Sequence, residues 1–184
     1  MVFDLEHGKY TAELGRSLKK RIESSGRRDV EAFFDHGETG ESDRVVPYFG
    51  HYGTSTTLAF VDLAIVNTDT KSVLELCEIE EEGANPKKVI GDCFNIFISD
   101  FVCIGRKQYD LNGAHLLLGV RVESKGRSSE KITNLRKRIK ASVKEEFLKD
   151  IELEFVTVHD YASLVSRLET QICEILGVQQ REGV

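Results

Sequence analysis

Two prolines and fifteen glycines among 184 residues exclude a collagen-like or proline-rich chain, and no stretch is biased enough to be a low-complexity segment. No apolar run approaches the roughly 18 residues that a membrane span needs. The first residues, Met1 to His7, lack the basic and apolar regions of a secretory signal, so a cytoplasmic protein with no membrane partner is expected. Cys77, Cys93, Cys103 and Cys173 form no C-x-x-C pair and stand among apolar neighbours, which leaves no ordinary zinc-ligand spacing and predicts buried free thiols. Positive charge is not in excess either. With 31 acids against 25 bases the net charge is −6, so any surface that attracts nucleic acid must be local. G-x-x-x-x-G-K-S/T, G-x-G-x-x-G and G-x-S-x-G are all missing, and with them the warrant for a P-loop nucleotide hydrolase or a nucleophile-elbow acyl transferase.

What is present is an ordinary globular pattern, 40% apolar, long enough for one domain over residues 1–184 with a real core. Residues 9–34 read as a helix, with Leu14, Leu18, Ile22, Val30 and Phe33 near helical spacing and Ser24-Ser25-Gly26 as a break or bend. Residues 35–43 are polar and glycine-bearing, a loop, and 44–49 a strand around Pro47. Residues 58–66 and 71–80 read as two strands joined by the turn residues Asn67 to Thr70, a hairpin. Leu74, Leu76, Glu78 and Glu80 share one face of the second strand by the period of two.

Asn85-Pro86 starts an apolar helix running toward Phe101. Residues 115–122 make a buried strand, parallel after a helical crossover. Residues 129–149 make a basic helix, 151–158 a strand, and 161–176 a closing amphipathic helix. The order predicts an α/β protein with a mixed central sheet, hairpin plus parallel strands, flanked by helices.

Asp62 inside Phe60-Val-Asp-Leu-Ala-Ile-Val66 is costly to desolvate and needs a hydrogen bond, a cation or a metal. Antiparallel pairing can bring Glu78 and Glu80 to the same place. An oxygen-rich cluster of that kind suits Mg²⁺ or Mn²⁺, with the carbonyl of Ile79 as a further ligand. A cation held there would stabilise charge on a phosphorane and lower the pKa of an attacking water. Equally, Glu78, Glu80, Glu81 and Glu82 read as a solvated acidic strand end, with Asp62 capping a turn.

Val61-Asp62 opening one strand, Glu78-Ile79-Glu80 ending the next and a helix opening at Asn85-Pro86-Lys87-Lys88 resemble the PD-(D/E)XK nuclease superfamily over about residues 9–122. The sixteen positions from Asp62 to Glu78 are within the family's range. The resemblance implies a restriction-endonuclease-like fold, a Mg²⁺-dependent nuclease acting on DNA, and Asp62 and Glu78 as metal ligands. Glu80 stands where most members have the lysine that orients the nucleophilic water, although some restriction enzymes of the superfamily carry glutamate there and still cut. The resemblance leaves Glu80 to hold a second metal or accept the water's proton, or Lys87 or Lys88 to return an ammonium to the site. Glu13 is similar to the extra acid that many members place near the metal from the first helix, and is equally an exposed partner of Arg16.

A second trace points to nucleic acid. Seven bases face one acid from Lys125 to Lys140, among them Arg136, Lys137 and Arg138, and Arg16, Lys19, Lys20, Arg21, Arg27 and Arg28 form a second cluster. Lys87 and Lys88 are further phosphate contacts. DNA is the expected partner and RNA an alternative. Basic helices are also often simply solvated. Tyr48, Phe49, His51 and Tyr52 either stack on bases or pack the sheet edge, and His115 reads as a structural histidine opening its strand. Beside the nuclease stand two other readings: an inactive nucleic-acid-binding or assembly subunit of the same fold, and a homodimeric interaction protein built on the apolar residues 89–104.

Overall fold

The computed structural model describes residues 5–36, 43–80, 85–122, 127–142 and 150–178. Leu14, Leu18 and Ile22 hold α1 (Leu5–Ser25) against the body, but Gly26 at φ 75° takes the left-handed conformation that ends the helix. The helix expected over 9–34 therefore stops early, and Val30–Phe34 form strand β1. These five residues are extended because both sides are covered: Phe33 belongs to one apolar cluster and Phe34 to the other.

The remaining elements are β2 (Val45–Tyr48), β3 (Leu63–Asn67), β4 (Ser72–Glu80), α2 (Pro86–Phe97), β5 (Phe101–Ile104), β6 (Lys107–Asp110), β7 (His115–Arg121), α3 (Arg127–Ser142), β8 (Glu152–Val158) and α4 (Tyr161–Leu176). The architecture is α/β, a mixed sheet flanked, among the described residues, by four helices. β1, β3 and β4 are antiparallel neighbours, while β7 lies parallel to β4 and β8 parallel to β7. β2, β5 and β6 form an antiparallel branch that joins β4 at its first residue, Ser72 opposite Asp110. The β5–β6 hairpin is an addition to the expected order: Gly105, at φ 60°, turns a run that reads in sequence as the end of the preceding helix. Residues 37–42, Glu81, Glu82, Lys125 and residues 143–149 lie outside the described residues.

Alternation along the strands sorts the core into two layers. Leu76, Leu116, Leu118 and Leu153 face α2 and α3, whereas Cys77, Ile79, Leu117 and Val156 face α1 and α4. A bulge breaks the alternation in β4: Ile65 opposes Glu75 but Val66 opposes Val73, so Leu74 packs with the α1 layer rather than on the face of Leu76, Glu78 and Glu80. Ser17 and Arg21 of α1 both donate to the Glu169 carboxylate and tie α1 to α4. All four cysteines are buried and free. Among the described residues no helix is long and apolar enough to cross a membrane.

Two features of the α1 layer carry consequences. A Cβ on Gly15 would lie 2.2 Å from the ring of Phe34, which is itself 1% exposed and has nowhere to move. Gly15→Ala is predicted to destabilise the protein by about 1–3 kcal/mol, the overpacking cost outweighing the gain of roughly 1 kcal/mol in helix propensity; urea unfolding measures it, and an unchanged or raised midpoint would contradict this packing.

Glu75 is fully buried, neither carboxyl oxygen has a hydrogen-bond partner, and burial followed by the charges of Glu154 and Glu152 pushes its pKa up to about 9 from 4.5. Of the charged groups on the neighbouring strands, His115 stands opposite it on β7 and Glu152 beyond on β8. The native carboxyl keeps a proton that the unfolded chain releases above its ordinary pKa. Stability from this group is therefore complete at low pH and falls as pH rises toward about 9, by at most about 1.4 kcal/mol per pH unit. Glu75→Gln is predicted to raise the melting temperature at about pH 8 and to change it little at about pH 5. Equal shifts at both would contradict a neutral buried Glu75.

Candidate functional site

The hairpin places the acids. Leu63 opposes Cys77, so the next step of the antiparallel ladder sets Asp62 opposite Glu78 on one face of the sheet, and Glu80 follows on that face. It is the face covered by α2, whose first turn is fixed by Asn85: its side chain accepts from the Lys87 N–H and Pro86 occupies the first helical position. Lys88 and Asp92, one turn apart on α2, then reach over the end of β4.

Asp62, Glu78 and Glu80 are 8%, 8% and 3% exposed, so three acids meet in a nearly dry place. Asp62 Oδ2 accepts from the backbone N–H of Ile79 at 2.8 Å, across the hairpin. Burial, then the charges of Asp62 and Asp92, and a hydrogen bond to the Asp62 carboxyl push the Glu78 pKa well up. Lys88 Nζ lies 2.6 Å from Glu80 Oε1. Burial works against the Lys88 charge, but the bond to Glu80 and the fields of Glu80, Asp92 and Asp62 hold its pKa above the ordinary value. Asp92 is pushed up to about 7 by burial, by the charge of Glu80 and by a hydrogen bond to it. Glu80 Oε2 and Asp92 Oδ2 are buried without a hydrogen-bond partner.

The site thus gathers four carboxyls and one ammonium. Among the described residues no three His, Cys, Asp or Glu side chains are spaced to hold one ion as they stand. Asp62 and Glu78 form the closest match to a hard-cation pair, because Mg²⁺ uses one or two carboxylates and keeps several waters. Glu80 is engaged to Lys88. Ile79 contributes its N–H, and its carbonyl is a further oxygen at the same point of the strand.

Glu13 is not brought there. It is exposed on α1, over the opposite face of the sheet, and the expectation that it joins the acids is corrected by that placement. His115 also faces the α1 layer, with Nδ1 3.7 Å from Glu152 Oε2, and His51 is exposed in the segment after β2. Lys87 is exposed on the first turn of α2. Arg136 is half-buried and Lys137 and Arg138 exposed on α3, which packs through Ile132 and Ile139 in the same layer as α2, so the basic helix lies on the acid side of the sheet. Asp92 was not singled out in the sequence. Its signal is there, a lone acid between Val89, Cys93 and Ile96 of an otherwise apolar helix, four residues from Lys88.

Comparison of the chain with protein-family models, with curated proteins and with solved structures finds no match to any of them.

Gathering like charges in low dielectric works against folding, and Asp62 tests this directly. Asp62→Asn keeps an acceptor for the Ile79 N–H and removes a charge, so it is predicted to raise the melting temperature in EDTA. Asp62→Ala orphans that N–H and is predicted to lower stability by about 1–3 kcal/mol. Calorimetric melting of both variants checks the pair of signs; a loss in both would mean that the carboxylate stabilises the fold.

Proposed function

We propose that the protein is a metal-dependent nuclease of the restriction-endonuclease-like class that hydrolyses phosphodiester bonds in DNA. The observation that carries it is the buried cluster of Asp62, Glu78, Glu80 and Asp92 with the Lys88 ammonium against Glu80. Negative charge this crowded calls for a cation from solution, and oxygen donors select Mg²⁺ or Mn²⁺. The order of α1, the antiparallel β1, β3 and β4, the crossover helix α2 and the parallel β7 supports the same class of fold.

In this reading Asp62 and Glu78 hold the cation, with Ile79 offering its carbonyl. The Ile79 N–H fixes the Asp62 carboxylate beside the Glu78 side chain. The bound cation would supply Lewis-acid stabilisation of the phosphorane and a more acidic water. Lys88, reaching back from α2, takes the place of the lysine absent from β4; Glu80 holds its ammonium at the site, where it orients the water and the phosphate oxygens. Lys87, Arg136, Lys137 and Arg138 contact backbone phosphates from α2 and α3. RNA meets the same contacts. The outward stripe of Ile90, Phe94 and Ile98, each 37–44% exposed along α2, supports a homodimer as the assembled form. A cytoplasmic location follows from the same reading.

Purified protein is predicted to nick supercoiled DNA with Mg²⁺ or Mn²⁺ and not in EDTA. Glu78→Gln is predicted to lower the rate at least about 100-fold, and Lys88→Met by about 100- to 1,000-fold while metal binding is retained. Replacing Arg136, Lys137 and Arg138 by Ala should cut the salt dependence of DNA binding by up to about 3 in log–log slope. Undiminished nicking in Glu78→Gln would remove the assignment.

A further inference from the structure

Beside the acids the β2–β5–β6 branch carries an aromatic surface that the hydrolytic site does not use. Val45 and Val61 form an isolated antiparallel bridge, with the Val61 N–H donating to the Val45 carbonyl at 2.9 Å. One step along, Arg44 falls opposite Asp62; on the other side of Val61, Phe60 projects outward, 53% exposed. The Arg44 guanidinium sits over the Phe60 ring, 5.3 Å from its centroid. Tyr52, 62% exposed, lies against Tyr48 with centroids 5.1 Å apart, and Tyr48 stacks in turn on Phe101 at 5.6 Å. A groove of 390 Å³ runs between them, lined by Arg44, Val46, Tyr48, Tyr52 and Phe60 and also by the acid Asp43.

Most exposed apolar side chains need no occupant, but this set has the chemistry of one. Tyr48 is anchored, 8% exposed, and gives Tyr52 a fixed backing, while Phe60 presents a ring that carries a cation on it. Exposed aromatic rings with a guanidinium held against one of them match a base and its phosphate, and every base has a face to stack. In a duplex that face is covered by neighbouring bases. Only an unpaired strand can present it.

We propose that the shelf formed by Arg44, Phe60, Tyr52 and Tyr48 is a binding subsite for single-stranded nucleic acid, in which a base stacks on the aromatic rings and Arg44 takes the adjoining phosphate. The inference rests on the nuclease reading for its purpose, since the shelf begins two residues before Asp62 and would lead an unpaired strand toward the acids. Its test does not rest on cutting.

Binding is read by fluorescence anisotropy in EDTA with three probes: a labelled oligothymidylate, an abasic strand of the same length and a duplex. Wild-type protein is expected to bind the oligothymidylate more tightly than the abasic strand. Phe60→Leu combined with Tyr52→Leu should weaken oligothymidylate binding roughly 5- to 150-fold, to the abasic level, leaving abasic and duplex binding unchanged. Phe60→Trp should retain binding, and Arg44→Gln should lower the salt slope by about 0.7. These side chains are exposed, and circular dichroism confirms that each variant is folded. Equal wild-type affinity for the oligothymidylate and abasic strands would overturn the proposal, as would undiminished binding by the double leucine variant. A double variant that changes only the oligomeric state in sedimentation would assign the shelf to self-association and overturn it too. If wild-type protein fails to nick DNA with metal, the hydrolytic reading falls, and the anisotropy result still decides the shelf.

Discussion

The site depends on one contact across the β3–β4 hairpin, the Ile79 N–H held by Asp62 Oδ2. Asp62 lies just outside the paired part of β3. Its carbonyl accepts from Asp35 and its side chain from Ile79, so the residue is fixed from both sides. Fixing it brings an acid opposite Glu78, where burial and the charge of Asp62 push the Glu78 pKa up. α2 then adds Lys88 and Asp92 on the open side. The local free-energy cost is offset by the two apolar layers that pack on the faces of β4 and β7.

The two sides of the sheet use buried acid differently. On the α2 side the carboxyls are close to one another and to an exposed lysine, on the face of the sheet that the basic helix also covers. On the α1 side Glu75 stands without a hydrogen-bond partner and keeps its proton. A neutral carboxyl in a core costs less than an unpaired carboxylate, and it makes that layer sensitive to alkali. The first arrangement has the chemistry of a site; the second that of a tolerated polar group.

Much of this was legible in the sequence where pattern length was sufficient. The hairpin followed from two β-rich runs around Asn67 to Thr70, α4 from a full amphipathic period between Asp160 and Gly177, and β7 from seven apolar-rich residues. Short runs were not legible. Val30–Phe34 and Phe101–Ile104 each hold too few residues for a period of two to be told from one of 3.6, and tertiary cover on both faces decided them. The bulge that turns Leu74 away from Glu78 depends on how β3 pairs, which no single strand records. Of the candidate site, Asp62, Glu78, Glu80 and Lys88 come together, whereas Glu13 sits on the far side, because which face α1 covers is a property of the assembled layers.

If these carboxyls take up a divalent cation, calorimetric titration with Mn²⁺ in metal-free buffer will show saturable binding to the wild-type protein that is lost in Glu78→Gln while the variant stays folded. Absence of binding to the wild type, or binding that the variant retains in full, would contradict it.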